Sequence, residues 1–235
     1  MICIECGAPI TQLYIEYGKG SIRLTQCGVC QEFADKYQEY DFVILCIDMT
    51  LLKSNAYRHV IFNRLKYNHK GTNDVIVRLG ILLILFEVYM KWFQLDQIDE
   101  HLVYSDFPVY IQYLYVLTIC VLEFLVYHGT IRLMAGVLQR KMLSLKQSNR
   151  LSMALTLSSF GKLLLIVMVV WDYGRLNPTS LINFFVFICN FNAVSVTLQM
   201  NFFAVCMIMT TATLLKLLFQ LTFAINDPAL FCILF

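Results

Sequence analysis

Four cysteines near the N-terminus are the residues of this sequence best suited to bind a metal ion. They form two Cys-x-x-Cys pairs, Cys3 with Cys6 and Cys27 with Cys30. Two such pairs, brought together by a turn, supply the four thiolates that a structural zinc ion prefers in a tetrahedron. We therefore predict that these cysteines bind one structural zinc ion.

The segment between the two pairs predicts a hairpin. Apolar and polar residues alternate in YIEYGKGSIRL on both sides of the turn Gly18-Lys19-Gly20. A hairpin with a cysteine pair at each side is typical of a zinc ribbon, which we place at residues 1–34, with Gly7 and Gly28 in its tight turns. So short a module cannot bury enough apolar surface to fold alone, so the metal would supply much of its folding free energy.

Two other readings of the paired cysteines are weaker. A redox dithiol needs one Cys-x-x-Cys at the start of a helix, and a two-metal RING site needs about eight ligands. The four histidines lie too far downstream to supply the missing ligands. The five remaining cysteines lie in apolar surroundings, where cysteine usually serves as a small packing residue.

Composition indicates that most of the chain lies in a membrane. The 235 residues are 59% hydrophobic and 14% charged, with a mean hydropathy of +0.66, which is too apolar for an ordinary soluble domain. A net charge of only +2 argues against a nucleic-acid-binding protein. We predict a mostly α-helical, polytopic membrane protein whose transmembrane domain is 71–235. Segments of about the 20 residues needed to span a bilayer lie at 76–95, 108–128, 152–171, 180–200 and 202–223.

Residues 35–70 predict a helical segment that lies at the membrane surface. The apolar run from Phe42 to Leu52 contains Asp48 and is too short to cross a bilayer. On a helix without a break at residues 53–55, four polar residues would fall on nearly one line, which is typical of a helix or helical pair in the interface. These residues are Asp48, Asn55, His59 and Lys66.

The distribution of charge predicts the orientation. The linker 139–150 is basic, as is the stretch before the first predicted span, whereas 96–107 carries four acidic residues and neither Lys nor Arg. Because cytosolic loops are enriched in basic residues, the N-terminal module and 139–150 are expected in the cytosol and 96–107 on the other side. This orientation agrees with the lack of an apolar signal segment at the N-terminus. It also agrees with the paired cysteines, which stay reduced in the cytosol.

Charged residues inside predicted spans are costly and therefore candidates for function. Glu87 and Lys91 are four residues apart, so we expect them to neutralise each other on one helix. Glu123 and Lys162 lack such a neighbour in the sequence. We interpret them as a candidate intramembrane polar site, in which they either pair across helices or line a polar cavity.

In the first 66 residues CxxCG and CxxC are followed by ADKYQEYD, an apolar run with an internal Asp, and AYRHVIFNR. This order of motifs resembles the ARV family, the ACAT-related proteins required for viability, which are found in the endoplasmic reticulum of eukaryotes. The resemblance covers roughly residues 3–66, the family's homology domain.

This resemblance implies a role in sterol homeostasis in the endoplasmic reticulum membrane. The expected activity is sterol uptake, trafficking and distribution into membranes, with effects on sphingolipid metabolism and on the assembly of GPI (glycosylphosphatidylinositol) anchors. The implied partners are membrane lipids, namely sterol, sphingolipid or a GPI precursor, and lipid-biosynthetic membrane enzymes.

The motif AYRHVIFNR contains a candidate lipid-headgroup site or structural patch, formed by Tyr57, Arg58, His59 and Asn63. A guanidinium makes paired hydrogen bonds to a phosphate, so Arg58 suits a headgroup. Alternatively, the patch ties the zinc ribbon to the first span, or Tyr57 and Phe62 anchor a helix among the headgroups while the charged residues stay solvated.

We find no catalytic motif in the sequence, such as a nucleophile elbow or a phosphate-binding loop, and expect a protein that is not an enzyme. Enzymes of lipid metabolism often lack such motifs, so this class stays open beside lipid handling and a scaffold for GPI-biosynthetic enzymes. A cavity lined by Glu123 or Lys162 would favour lipid handling. A solid bundle with an exposed apolar face would favour the scaffold.

Overall fold

The N-terminal module contains a two-stranded antiparallel sheet. Strand β1, Tyr14–Gly18, pairs with strand β2, Ser21–Leu24, so that Tyr14 lies opposite Leu24. This pairing confirms the predicted hairpin. The computed structural model describes residues 1–18, 21–96, 108–140, 143–164 and 178–226.

Two short helices connect the module to the membrane domain. Helix α1 is Phe42–Thr50, and helix α2, Ser54–Arg58, continues into a π-helical turn, His59–Arg64. The chain breaks between the helices, where Leu52 has a left-handed φ of 61°. The single line of polar residues expected on an unbroken helix therefore does not form.

Five longer helical segments follow. Helix α3 is Asp74–Asp96, α4 is Val109–Leu138, and α5, Leu145–Ser158, continues as a 3-10 turn, Ser159–Leu164. Helix α6 is Pro178–Leu198 and α7 is Phe202–Asn226.

In the described ranges, three helices are long and apolar enough to cross a membrane: Val109–Leu138, Ser180–Leu198 and Phe202–Phe223. They confirm the predicted spans at 108–128, 180–200 and 202–223. Helix α3 matches another predicted span, 76–95, in position and length, but its charged residues exclude it from the three helices above. The predicted span 152–171 begins in α5, and its last seven residues lie outside the described ranges.

The long helices pack as a bundle, with α4 along α7, α5 along α6, and α3 against α4 and α5. A buried apolar cluster joins four of them through residues such as Ile131, Leu155, Val194 and Ile208. A second cluster joins the N-terminal module to the bundle, because Ile4, Tyr57 and Ile61 pack there with Ala154 of α5 and Ala193 of α6. The module is thus part of one folded unit with the membrane helices.

Candidate metal centre, docking patch and intramembrane cavity

The four paired cysteines converge on one point. Their sulfur atoms all lie within 4.8 Å of one another. Cys3 Sγ is 3.7 Å from Cys30 Sγ, and Cys6 Sγ is 3.7 Å from Cys27 Sγ. Zinc–sulfur bonds of about 2.3 Å in a tetrahedron require sulfurs about 3.8 Å apart, whereas a disulfide requires about 2 Å. The cluster therefore fits a tetrahedral metal ion such as zinc.

The two cysteine turns repeat one backbone pattern. Gly7 N donates to Cys3 O and Gln31 N donates to Cys27 O, at 3.0 and 2.9 Å. Gly7 and Gln31 both have positive φ values, 79° and 62°. The expected role of Gly7 is confirmed, but in the second turn Gln31, four residues after the first cysteine of its pair, takes the strained position, and Gly28 does not.

The second turn also favours the ligand form of its first cysteine. Backbone N–H groups of Cys30 and Val29 lower the pKa of Cys27 to about 6, although burial opposes the shift. The thiolate is the species that binds metals. The backbone of this turn therefore favours the thiolate of Cys27, whereas Cys30 differs: a backbone hydrogen bond from Glu32 lowers its pKa, but burial and the neighbouring thiols outweigh it and raise the pKa to about 12.

A buried carboxylate connects the cysteine module to α2. His59 Nδ1 lies 2.7 and 2.9 Å from the two oxygens of Asp35 and donates to them, and Asn63 Nδ2 donates to Asp35 Oδ2 at 2.8 Å. Asn63 also exchanges hydrogen bonds with the backbone of Ile2. Asp35 is fully buried, so these donors satisfy a charge that would otherwise be costly. We call Asp35, His59 and Asn63, together with Arg58, the docking patch.

Arg58 completes the docking patch by contacting backbone atoms of the first cysteine turn. Its Nη1 donates to Ile4 O at 2.8 Å and to Glu5 O at 2.6 Å. Tyr57 is buried and donates to Met49 O at 3.2 Å, so it packs beneath the patch and holds α1 against α2. Among the roles predicted for AYRHVIFNR, these contacts match the one in which the patch ties the cysteine module to the helices that follow it.

Electrostatics keep the carboxyl of Asp35 ionised. Burial opposes the charged form, but the hydrogen bond and charge of His59, with hydrogen bonds from Asn63 and Gln38, hold the pKa of Asp35 below its usual range. A second carboxylate, Asp48, accepts from Lys53 and Tyr37 at 2.7 Å each. These two hydrogen bonds likewise lower the pKa of Asp48.

The charged residues in the membrane helices pair between helices. Lys91 Nζ of α3 donates to Glu123 Oε1 of α4 at 2.8 Å, and Lys162 Nζ donates to Glu87 Oε2 of α3 at 2.6 Å. The closest ion-pair partners of Glu87 and Lys91 are therefore on other segments, and not each other as predicted. Helix α7 adds Gln220, which donates to Glu123 Oε2 at 3.1 Å.

These charges surround a cavity of about 310 Å³. Residues from α3, α4, α5 with its 3-10 turn, α6 and α7 line it. The lining combines apolar residues with polar ones, and Glu123 and Lys162 both belong to it. Its polar lining residues are Glu87, Glu123, Tyr127, His128, Thr156, Ser159, Lys162, Asn183, Asn190, Thr213, Lys216 and Gln220.

Sequence reasoning missed three of these functional candidates. Asp35 stands in the quoted motif ADKYQEYD, but its partners are 24 and 28 residues away. His128 is the last residue of the predicted span 108–128, and a histidine in so apolar a segment was a usable signal. Gln220 carried no signal, because a single amide in a span is ordinary.

These features define a class: a polytopic helical membrane protein with a four-cysteine module, of a geometry that fits a metal ion, docked on its bundle. The sequence matches the Arv1-like family over residues 2–194. The chain therefore belongs to the Arv1-like family, which confirms the resemblance and extends it from the first 66 residues into the membrane helices.

Individual relatives support the same assignment. The chain is 36% identical over 241 residues to "Protein arv1 homolog" of Dictyostelium discoideum, an alignment that covers 98% of each chain. It is 37% identical over 205 residues to "Protein ARV1" of Homo sapiens, covering 85% of this chain and 73% of the human protein. It is 27% identical to "Protein ARV1" of Saccharomyces cerevisiae, covering 92% and 87%. No solved structure matches the chain.

Proposed function

We propose that the protein mediates sterol homeostasis in the endoplasmic reticulum membrane, with its N-terminal module in the cytosol and a zinc ion in the cysteine cluster. It acts in sterol uptake, trafficking and distribution into membranes, and thereby affects sphingolipid metabolism and GPI-anchor assembly. In this proposal it handles lipids without catalysing a reaction.

The polar cavity among the membrane helices is the observation that carries this proposal. Its volume of about 310 Å³ is at the lower end of the range for small-molecule sites, about 300–1,000 Å³. Apolar lining residues such as Leu83 and Val186 lie beside Glu123 and Lys162. An amphiphilic molecule, with one polar end and an apolar body, matches such a lining.

A scaffold for GPI-biosynthetic enzymes is the second candidate. Beside the sheet, the cysteine module has an open groove lined by Tyr17, Phe33 and Tyr40. All three aromatic side chains are exposed, and exposed aromatic residues are common in protein interfaces. This groove supports binding to another protein, whereas the cavity supports lipid handling.

A pair of neighbouring residues on α7 separates the two functions. Thr213 lines the cavity, whereas Leu214 is exposed on the outside of the bundle. If the protein handles lipid, Thr213→Phe should fill the cavity and disturb sterol distribution in cells that depend on this chain, while Leu214→Phe should not. Both variants must reach wild-type abundance.

Lipid analysis of the purified full-length protein completes the test. A co-purifying sterol or glycolipid at near-stoichiometric amount, lost in Thr213→Phe, supports lipid handling. Normal sterol distribution with Thr213→Phe, together with no co-purifying lipid, would favour the scaffold.

A further inference from the structure

One residue of the first cysteine turn, Ile4, packs against the membrane helices. Ile4 lies between Cys3 and Cys6, and its side chain is fully buried. It belongs to the apolar cluster that contains Ala154 of α5 and Ala193 of α6. Burial of an aliphatic side chain of this size is strongly favourable. The segment that carries two of the four cysteines is therefore also an anchor of the module on the bundle.

The docking patch holds the same segment through its backbone. Arg58 Nη1 donates to the carbonyl oxygens of Ile4 and Glu5, both inside the first cysteine pair. Asn63 exchanges hydrogen bonds with the backbone of Ile2, which directly precedes that pair. Because hydrogen bonds need a defined distance and direction, these contacts form only if the segment keeps the shape of the turn. Its backbone is therefore held on one side by the cysteine cluster and on the other by α2.

The second cysteine turn shows that a metal site of this kind does not require such contacts. It repeats the backbone pattern of the first turn, yet Gly28 and Val29, the residues between its cysteines, are exposed. Val29 is 74% exposed, whereas Ile4 is 0% exposed. The burial of Ile4 is therefore explained by docking and not by the geometry of the turn.

The module depends on a metal to keep the first turn in shape. Residues 1–34 are too few to bury much apolar surface of their own, and Ile4 is buried against the bundle instead of inside the module. A four-thiolate site joins the two turns, and its binding free energy becomes folding free energy for the segments that it connects. Without the metal, the turn that contacts Arg58 and Asn63 would lose this support.

We propose that metal binding and docking of the module on the bundle are one coupled event. Loss of the metal releases the first cysteine turn from Arg58 and from the apolar cluster, and loss of these contacts weakens metal binding. The coupling is reciprocal, because a free energy that links two events acts equally in both directions. Ile4 and Arg58 are thus positioning residues for a metal that neither of them ligates. The inference rests on the zinc ion of the proposed function and not on lipid handling.

The affinity for zinc tests the apolar contact, measured on the full-length protein in detergent by competition with a chromogenic chelator. Ile4→Ala should weaken zinc binding by about tenfold or more, because the docking free energy lost with the side chain is lost from the metal site. Val29→Ala is the matched control, since it truncates an exposed residue of the other cysteine turn and should stay within about twofold of the wild-type affinity. Equal affinities of the two variants would overturn the proposal.

Arg58→Lys tests the polar contact in the same assay. Lysine keeps the charge but not the geometry of the guanidinium, so zinc should bind about tenfold more weakly than to the wild type. Arg64→Lys is the control, because Arg64 stacks on the ring of Phe42 and lies outside the docking patch. An affinity of Arg58→Lys equal to that of Arg64→Lys would contradict the positioning role of Arg58.

Hydrogen exchange of the wild-type protein tests the coupling from the metal side and needs no variant. Removal of zinc by a chelator should raise exchange in residues 1–34 whether or not docking is coupled, because the module loses its metal. If docking is coupled, exchange should also rise in the π-helical turn His59–Arg64 and in the turn between α6 and α7, where Gln199 lies beside Gly7. A rise confined to residues 1–34 would overturn the proposal.

The zinc measurements can fail separately from the tests of the proposed function. A wild-type protein without zinc would contradict the proposed zinc ion and with it the coupling. Zinc bound with equal affinity by the wild type, Ile4→Ala and Arg58→Lys would contradict the coupling alone. Sterol distribution with Thr213→Phe concerns the cavity, so lipid handling is judged by a different measurement.

Discussion

At the scale of single residues, Cys27 tests the metal site of the cysteine module. Cys27 and its three partners lie at the separations of a tetrahedral metal site. Because a serine removes one of the four thiolates that a structural zinc site needs, Cys27→Ser should lower the zinc content from the proposed one ion per chain to near zero. Elemental analysis of the purified full-length protein measures this. Full zinc content in the variant would show that the metal is bound elsewhere, and Cys46→Ser, outside the cluster, is the control.

Arg58 is the residue at which the headgroup and docking interpretations make different predictions. One guanidinium nitrogen donates to two carbonyl oxygens of the cysteine module. Lysine keeps the charge but not this geometry, so Arg58→Lys should lower the free energy of unfolding by about 1–2 kcal/mol. Thermal unfolding in detergent measures the loss. Arg64→Lys is the control, because among the described residues Arg64 stacks on the ring of Phe42 without a side-chain hydrogen bond, and equal stability of the two variants would refute the docking role.

Asp35 makes the same patch sensitive to acid. Its pKa is lowered in the folded protein, so its contribution is present above the unfolded value of about 3.9 and is lost as the pH falls through the folded value. Asp35→Asn should cost about 3 kcal/mol at neutral pH, the usual effect of breaking a buried pair. The difference in stability between wild type and variant should shrink below about pH 4. Unfolding measured from pH 7 to pH 3 gives this difference, and a constant difference would contradict the linkage.

At the scale of elements, the loop before α3 depends on one glycine. Gly71 has a φ of 79°, and a Cβ atom there would lie 2.5 Å from Lys146 O, next to the start of α5. Gly71→Ala should therefore destabilise the protein by about 2 kcal/mol, from left-handed backbone strain and the contact with a carbonyl. Gly129→Ala in α4 is the control, because it meets no atom within 4 Å and replaces a glycine inside a helix. Thermal unfolding of both variants tests this, and equal melting temperatures would argue against it.

The exposed residues of helix α1 are consistent with its predicted place at the membrane surface, which stays a prediction. One face buries Leu45 and Met49, while Phe42, Val43 and Ile47 are exposed. A contiguous apolar face of this kind is typical of an interfacial helix. In a background with Trp92 and Trp171 replaced by Phe, brominated lipids should quench a tryptophan placed at Val43 and spare one placed at Tyr17. Equal quenching at both positions would remove α1 from the interface.

At the scale of the whole molecule, local patterns were predictable and partners between elements were not. The cysteine spacing, the hairpin and the apolar lengths of α4, α6 and α7 are carried by short stretches of sequence. The pairing of Lys91 with Glu123 depends instead on how α3 rotates against α4, and the sequence favoured Glu87 because it lies four residues away whereas Glu123 lies 32 residues away. The same limit hid Asp35, whose partners His59 and Asn63 lie 24 and 28 residues away in the chain.

The arrangement of the helices gives the orientation a basis beyond loop charge. The cysteine module, the loop before α3, the start of α5 and the turn between α6 and α7 lie at one end of the bundle, since Asn149 Nδ2 donates to Lys70 O and Gly7 lies beside Gln199. Successive long segments from α3 to α7 therefore run alternately away from this end and back to it. The basic linker 139–150 shares that end with the module, and the acidic stretch 96–107, most of it outside the described residues, follows the far end of α3.

We therefore expect the module end to face the cytosol and residue 100 to face the lumen. In a background without the five cysteines outside the metal cluster, Lys146→Cys in sealed microsomes should react with a membrane-impermeant thiol reagent. Glu100→Cys should react only after detergent opens the vesicles, because the bilayer separates it from the reagent. Both variants should be labelled to the same extent in detergent, which controls for the reactivity of each site. Labelling of Glu100→Cys in sealed vesicles would mean that α3 does not cross the bilayer, and the charged residues it brings to the cavity would then need a different account.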